Sequence, residues 1–420
     1  MKLPIPVWRA GSAIAGVAIC TMVALAQSDS SSIRPLRTAP TEKLTVNPGF
    51  RDWGPTTIVG TTILGGNPTN RGGLFAVDTL TGKVKWMYRP ATGPTTVSTA
   101  PVVSGDIVIG SIGDAVVALS LATGKQLWRG PAIKPGATVA LHSGLAYVMG
   151  EDRNFYALDA TTGREKWKVA YARSGSCESV PVVSDGTVYV NGMVLVRPAD
   201  ANRSADYASH LFALDANTGQ ERWRYPAAGQ AGSGGFCLEQ PIVTADTYFA
   251  VGSRTLYALS LSTGRERWKP VEVRRLVGER VRSVPVGGLV DAGAVLVGLT
   301  PGFLIAFDKA TGRTAWEISG QYSETRPATA VAGRVLYFQG HPGATPLGEN
   351  WGGVTYSGGR PIVGPAALPS GTLNALDLDT RAILWSFSRP TAERNWAFGY
   401  VTPIDGGLWV DSYQALVKLQ

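Results

Sequence analysis

Short runs of apolar and alternating positions recur along this chain, separated by clusters of Gly, Asp, Asn, Ser and Thr. The unit is clearest at 157 to 167, ALDATTGREKW: an apolar run ending on an acidic residue, a Thr-Gly step, and an alternating polar run ending in Trp. Close copies stand at 76 to 86, 118 to 128, 213 to 223, 258 to 268 and 306 to 316. A weaker one at 375 to 385 carries Arg381 in place of glycine. Period-two alternation on both sides of a Gly-containing turn predicts strand, tight turn, strand. The glycines, Gly82, Gly124, Gly163, Gly219, Gly264 and Gly312, supply the position of positive φ. A second alternating pair lies upstream of most copies, as in PVVSGDIVIGS at 101 to 111 and PVVSDGTVYVNG at 181 to 192. Each period of roughly 40 to 50 residues therefore holds four short antiparallel strands, which is a propeller blade and not a helical repeat.

The seven copies predict seven blades, and the last residues predict an eighth. Val401-Thr402-Pro403-Ile404, Leu408-Trp409-Val410 and Ala415 to Gln420 supply three strands of one further unit. The missing outer strand is expected from around Leu44 to Phe50, so that the two termini tie the ring shut and leave no open end. The expected fold is thus an all-β, eight-bladed propeller over 44 to 420, with seven blades as the alternative if 386 to 420 merely completes blade one.

The repeat resembles the tryptophan-docking repeat of the quinoprotein alcohol dehydrogenases, a repeat shared by the non-catalytic assembly lipoproteins of the BamB type. The resemblance covers roughly 55 to 420 and implies the propeller fold. It also implies that Trp86, Trp128, Trp167, Trp223, Trp268, Trp316 and Trp385 are docking residues packed between blades, where a buried aromatic contributes most.

Composition adjusts this picture at the amino terminus. Lys2 and Arg9, the uncharged stretch Ala10 to Val23 and the small residues of Ala24-Leu25-Ala26 read as an export signal over 1 to 26. A lipid-anchored Cys20 is disfavoured by Ile19 beside it, and an uncleaved anchor over the 19 residues from Ala10 to Ser28 is the other alternative. The following 27 to 43 read as a flexible tether. The chain carries 39 basic and 31 acidic side chains. Without Lys2 and Arg9 the balance is 37 minus 31, or +6. That excess suits anionic partners such as envelope polymers, lipid head groups or acidic ligands. The basic residues lack the interleaved aromatic pattern of a nucleic-acid groove, and no nucleic acid is expected.

Strand order fixes the faces. With strands A to D running outward from the axis, the Thr-Gly turns share the bottom, while B to C and D to A connections share the top. Nearly all irregular sequence falls on top: an insertion at 193 to 210 in blade four and one at 340 to 371, with Trp351 and Tyr356, in blade seven. A loop of about thirty residues is longer than ordinary connections. Candidate ligand-binding residues gather at the same rim: Glu178, Glu239, Gln240, Arg280, Arg282, Glu324, Arg326, Trp351 and Trp396. The stretch 269 to 283 holds five basic and two acidic residues and makes one sector positive. Cys177 and Cys237 each precede a strand-initial proline by four residues, and such a matched pair in an exported protein predicts a disulfide between blades four and five. His142, His210 and His341 fall in unrelated segments read as loops, and no His or Cys metal site is expected.

For chemistry, the quinoprotein resemblance implies pyrroloquinoline quinone with calcium, near Glu178, Glu239, Arg282 and Arg326, with Trp396 to stack on it. Against this, the chain has no adjacent Cys-Cys pair, no Cys-x-x-Cys-His and no identifiable catalytic base. The leading expectation is an exported, monomeric binding or assembly module for an envelope protein, a peptide or a small acidic ligand. Membrane contact is expected only through a possible N-terminal anchor. A quinone-dependent oxidoreductase, and a biosynthetic or other enzyme of a different reaction class using the charged top-face pocket, are the alternatives; the catalytic residues are then unknown.

Overall fold

A computed structural model of the chain describes residues 32–420 except 47–55, 68–71, 92, 98, 132, 134–138, 151, 171–180, 200–205, 227–237, 253, 278–279, 285, 301, 323–328, 343–353, 358–359, 364–371, 389–397 and 413–414. No α-helix occurs among the described residues. They form eight four-stranded antiparallel blades, the eight-bladed propeller expected from the repeat. In blade 1, strands A to D are Thr57–Val59, Thr62–Gly66, Leu74–Asp78 and Val84–Tyr88. Blades 2 and 3 run from Val102–Ser104 to Gln126–Arg129 and from Ala140–His142 to Glu165–Ala170. Blade 4 consists of Val182–Ser184, Thr187–Arg197, Asp206–Asp215 and Glu221–Pro226, and blade 5 runs from Leu238–Val243 to Val271–Glu272. Blade 6 runs from Gly287–Ala292 to Thr314–Tyr322, and blade 7 uses Thr329–Ala332, Val335–Pro342, Thr372–Asp377 and Ile383–Ser388. From blade 2 to blade 8 the A strands touch one another in succession, so they line the axis.

One residue row repeats across the blades. Trp167 stands opposite Ala157, which stands opposite Tyr147. The same row reads Tyr189, Ala213, Trp223 in blade 4 and Tyr337, Ala375, Trp385 in blade 7. A β-bulge follows the alanine in each of these three blades, and a bulge twists the outer strand locally. The indole N–H then crosses to the next blade's C–D turn. Trp86 donates to the carbonyl of Leu121 at 2.8 Å, Trp128 to Ala160 at 3.0 Å, Trp167 to Ala216 at 3.0 Å, Trp223 to Leu261 at 2.9 Å and Trp268 to Lys309 at 3.1 Å. The tyrosine joins it on the same oxygen: Tyr147 reaches Ala216 at 3.0 Å and Tyr189 reaches Leu261 at 3.3 Å. Burial raises the Tyr147 phenol to about 12, so it remains a donor at any ordinary pH.

The turn that receives these donors is built by its aspartate. Asp159 accepts from the Thr161 and Thr162 amides at 3.1 and 2.9 Å, and Asp215 does the same with Asn217 and Thr218. Gly163 has φ +71°, and a Cβ there would lie 2.5 Å from Cε3 of Trp128. Glycine is therefore needed twice over, for its conformation and for the ring that covers it.

Blade 8 departs from the repeat. Its strands A to C are Phe398–Ile404, Gly407–Ser412 and Leu416–Leu419, and its outer strand is Glu42–Val46. Closure by an early strand is as expected, beginning slightly before the Leu44 to Phe50 segment. The row here is Trp409, Lys418, Leu44, so the indole has moved to strand B and a leucine holds the docking position. Leu44 and Val46 accordingly face Gly82 of blade 1. Trp409, 1% exposed, joins Val46, Ile63, Phe75, Val77 and Leu416 in one core.

Residues ahead of that strand complete the seam. Leu36 is buried against Trp385 and Tyr337. Its carbonyl accepts from Trp385 Nε1 at 3.0 Å and Tyr337 Oη at 3.4 Å, and its amide donates to Tyr337 Oη at 2.7 Å. Leu36 thus stands where the other blades offer a C–D turn. Arg37 pairs with Asp377, and Arg34 pairs with Asp405 at 3.2 Å. Thr41 and Gln420 exchange backbone hydrogen bonds of 2.9 and 3.1 Å. Part of the stretch read as a tether is therefore packed structure.

Candidate functional site

The bottom face is nearly uniform, because the A–B and C–D turns repeat. The top face of blades 4 to 7 is not. In blade 4 the 193 to 210 insertion is a β-ribbon in addition to a loop: the B–C pairing continues through Gly192 with His210 and Met193 with Ser209 to Arg197 with Asp206. Among the described residues strand D ends at Pro226, opposite His210, and beyond that point strands B and C pair only with each other. The apolar, β-branched run Met193-Val194-Leu195-Val196 was the available signal for it.

Between blades 5 and 6, the basic stretch folds as a hairpin, Arg274–Val277 with Arg280–Ser283. Its base is fixed by Val273 and Val284, each 2% exposed and joined by a 2.8 Å backbone hydrogen bond. Pro270, which has no N–H to give, separates the repeat's Trp268 from the short outer strand Val271–Glu272. Between blades 6 and 7, strand D of one pairs with the extended strand B of the other through Gly320 with Pro342, Gln321 with His341 and Tyr322 with Gly340. The two blades are joined into a single eight-stranded sheet. The 340 to 371 insertion contributes a further hairpin, Val354–Ser357 with Arg360–Val363.

The candidate residues distribute as follows. Glu239 and Gln240 lie in strand A of blade 5, with Glu239 opposite Val251 at a bulge. Arg280 and Arg282 stand in the hairpin, which corrects their assignment to the entry of an innermost strand: strand A of blade 6 starts only at Gly287. Glu178, Glu324, Arg326, Trp351, Trp396, Cys177 and Cys237 lie outside the described residues, as do Cys20 and the whole of 1 to 26. The histidines belong to strands and not loops: His142 in blade 3, His210 in blade 4 and His341 in blade 7.

His210 sits at the root of the ribbon. Its ring centroid is 6.0 Å from that of Phe212, whose other neighbour is the Arg224 guanidinium at 5.0 Å. Its Nδ1 is buried and has no hydrogen-bond partner among the described residues. Burial first, and the Arg224 charge second, hold the imidazole below its ordinary value, with Glu221 pulling weakly the other way. Sequence reasoning missed the place of this residue, the paired tyrosines, and the replacement of a tryptophan by Leu44 and of a turn by Leu36.

With this architecture in view, the comparisons with known proteins fall into place. A family model described as outer membrane protein assembly factor BamB matches residues 113–396. The chain belongs to that family. The crystal structure of BamB from Moraxella catarrhalis superimposes with a TM-score of 0.63 at 16% identity, covering 91% of this chain and all of that one. The computationally designed Ika8 protein superimposes at 0.60 with 14% identity, over 90% of this chain and 98% of its own. At such identities the likeness concerns the fold alone. The serine/threonine-protein kinase AfsK of Streptomyces griseus is 30% identical over 184 residues, 42% of this chain and 20% of the kinase. A quinohemoprotein alcohol dehydrogenase of Comamonas testosteroni is 27% identical over 154 residues, 33% of this chain and 21% of the enzyme. The chain thus spans about a fifth of the length of these curated relatives.

Proposed function

We propose that the protein is an envelope-associated binding and assembly module that holds a protein or peptide partner on the top face of blades 4 to 7. The observation that carries this reading is the concentration of added β-structure on one face: the blade 4 ribbon, the 274 to 283 hairpin, the blade 6–7 junction and the 354 to 363 hairpin. Two-stranded ribbons offer unpaired backbone edges, which recognise extended peptide by strand addition. Membership of the BamB family supports an assembly role, and the signal-like first 26 residues support export. The oxidoreductase reading draws on a relative of which only 21% is matched, and the sequence has neither the Cys-Cys nor the haem-attachment motif.

Photo-crosslinking in the native envelope tests it. A crosslinking residue at the exposed ribbon positions Pro198 or Ala199 is expected to give a discrete adduct, and one at the bottom-face Thr81 none. Adducts from Thr81 alone would overturn the proposal. Saturable tryptophan quenching by pyrroloquinoline quinone with calcium, followed by dye-linked alcohol oxidation, would replace it with the enzyme reading.

A further inference from the structure

On the bottom face, the residue after the turn glycine stands at the same place in blade after blade. Its carbonyl accepts from the amide of the residue that opens the turn, and its own amide donates to the turn threonine. Lys83 is held in this way by Asp78 and Thr81, Lys125 by Ser120 and Thr123, Arg164 by Asp159 and Thr162, Arg265 by Ser260 and Thr263, and Arg313 by Asp308 and Thr311. Five blades thus place a cation here, and Arg381 adds a sixth from the glycine site of blade 7. All six are exposed, and none has an ion pair among the described residues. The acids of this face are largely spent. Asp78, Asp159, Asp215 and Asp377 pair with Lys85, Lys166, Arg222 and Arg37, and Asp246, Asp291, Asp379 and Asp405 pair with Arg267, Lys309, Arg334 and Arg34. Among the described turn residues this leaves Asp106, Asp185 and Asp308 against the six cations, and Asp308 accepts from the Thr311 amide and hydroxyl of its own turn.

We propose that the bottom rim of the propeller rests on an anionic lipid bilayer, with these six cations over the head groups. Equivalent positions of blades related by rotation about one axis lie in one plane, so a flat anionic surface meets all of them at once, whereas a linear polymer would have to bend round the ring. Each Lys or Arg brought to such a surface adds to the attraction. Two further features lie on the same side. Leu80, in the C–D turn of blade 1, is 71% exposed, where the other turns carry Ala122, Thr161, Asn217, Ser262, Ala310 and Asp379. An apolar side chain beside Lys83 suits the boundary between head groups and acyl chains. The chain also enters from this side: Arg34 accepts from the Gly406 amide at 2.9 Å and pairs with Asp405 in the A–B turn of blade 8, and Pro35 lies against Gly333 in that of blade 7. The top of blades 4 to 7 then points away from the bilayer. No residue of the top-face reading takes part, so the two stand or fall separately.

The test floats the full chain with phosphatidylglycerol-containing vesicles and with phosphatidylcholine vesicles, and reads amide hydrogen exchange segment by segment on each. Exchange in the C–D turns, 79 to 84 and 121 to 126, is expected to slow on the anionic vesicles relative to the neutral ones, while the top-face turn 150 to 154 is unchanged. Capture through the apolar 10 to 28 stretch acts on both vesicles alike and leaves no such difference. In Lys125→Gln/Arg164→Gln/Arg265→Gln the protection should disappear, and at about fivefold per cation the anion-dependent part of binding should weaken about a hundredfold; added salt should weaken it too. Arg153→Gln, in the B–C turn of blade 3 on the top, should bind as wild type. Only the backbones of the three substituted residues hold their turns, so the triple variant should keep the wild-type melting temperature. Equal exchange at the rim on both vesicles, protection of the top turn instead, or wild-type binding by the triple variant would each overturn the proposal. So would capture by soluble polyphosphate that anionic vesicles do not compete away, which would make the partner a polymer.

Discussion

Arg381 occupies the turn position that glycine fills elsewhere, and it does so at φ +62°, a left-handed conformation that costs an L-residue about 1–2 kcal/mol. Arg381→Gly is therefore expected to stabilise the protein by about 1 kcal/mol in thermal or denaturant melts. Gly163→Ala should act in the opposite direction, losing about 1–3 kcal/mol, because its methyl group would enter the Trp128 ring. The glycine and tryptophan positions could be read directly from the repeat, since each has a fixed spacing and a distinct stereochemical demand. His210 could not: its place beside Phe212 and Arg224 depends on how far the strands extend. Its lowered pKa means that neutral imidazole stabilises the fold above pH ~6.5, and that this contribution is lost on acidification. An NMR titration should place His210 below free histidine, and His210→Gln should reduce the loss of stability between pH 7 and 5.

At the scale of the element, the seam between blades 7 and 8 is the instructive case. The docking contacts of Trp86, Trp128, Trp167, Trp223 and Trp268 join a written tryptophan to a written turn, but the seam replaces the turn with unrelated residues that meet the same hydrogen-bonding and packing needs. Leu36 brings a carbonyl and an apolar side chain to Trp385, and nothing in Ser32 to Thr41 resembles a Thr-Gly turn. Asp377 is held at about 2, first by the Thr380 amide and then by Arg37. A depressed carboxylate contributes its stability above the usual value near 3.8 and loses it as the pH falls towards 2. The seam should thus loosen across pH 4 to 2, seen as a fall in melting temperature that Asp377→Asn flattens. Leu36→Ala at neutral pH should cost about 2–4 kcal/mol. In the blade 4 ribbon, an insertion read as loop extends the neighbouring strands, and only its apolar start, Met193 to Val196, carries a strand signal.

For the molecule as a whole, the ring is closed by hydrogen bonds between Glu42–Val46 and Leu416–Leu419, which give blade 8 the fourth, outer strand that the other blades have. Removing residues through Val46 should leave Leu416–Leu419 as an unpaired edge. The expected result is self-association in analytical ultracentrifugation, reversed by a synthetic peptide spanning 40 to 47; a truncated chain that stays monomeric and melts as before would contradict this account of closure.

That closure also sets a clock. Val46 pairs with Leu416, 370 residues further along the chain. At about 5–20 residues per second of synthesis, the early strand waits roughly 20–75 s for its partner to be made. Throughout that interval the blades lack their closing strand, and a segment made before every blade is the last to be used. A chaperone or a translocation channel that keeps residues 32 to 46 from pairing elsewhere would therefore govern the yield of folded protein more than any stage of blade formation.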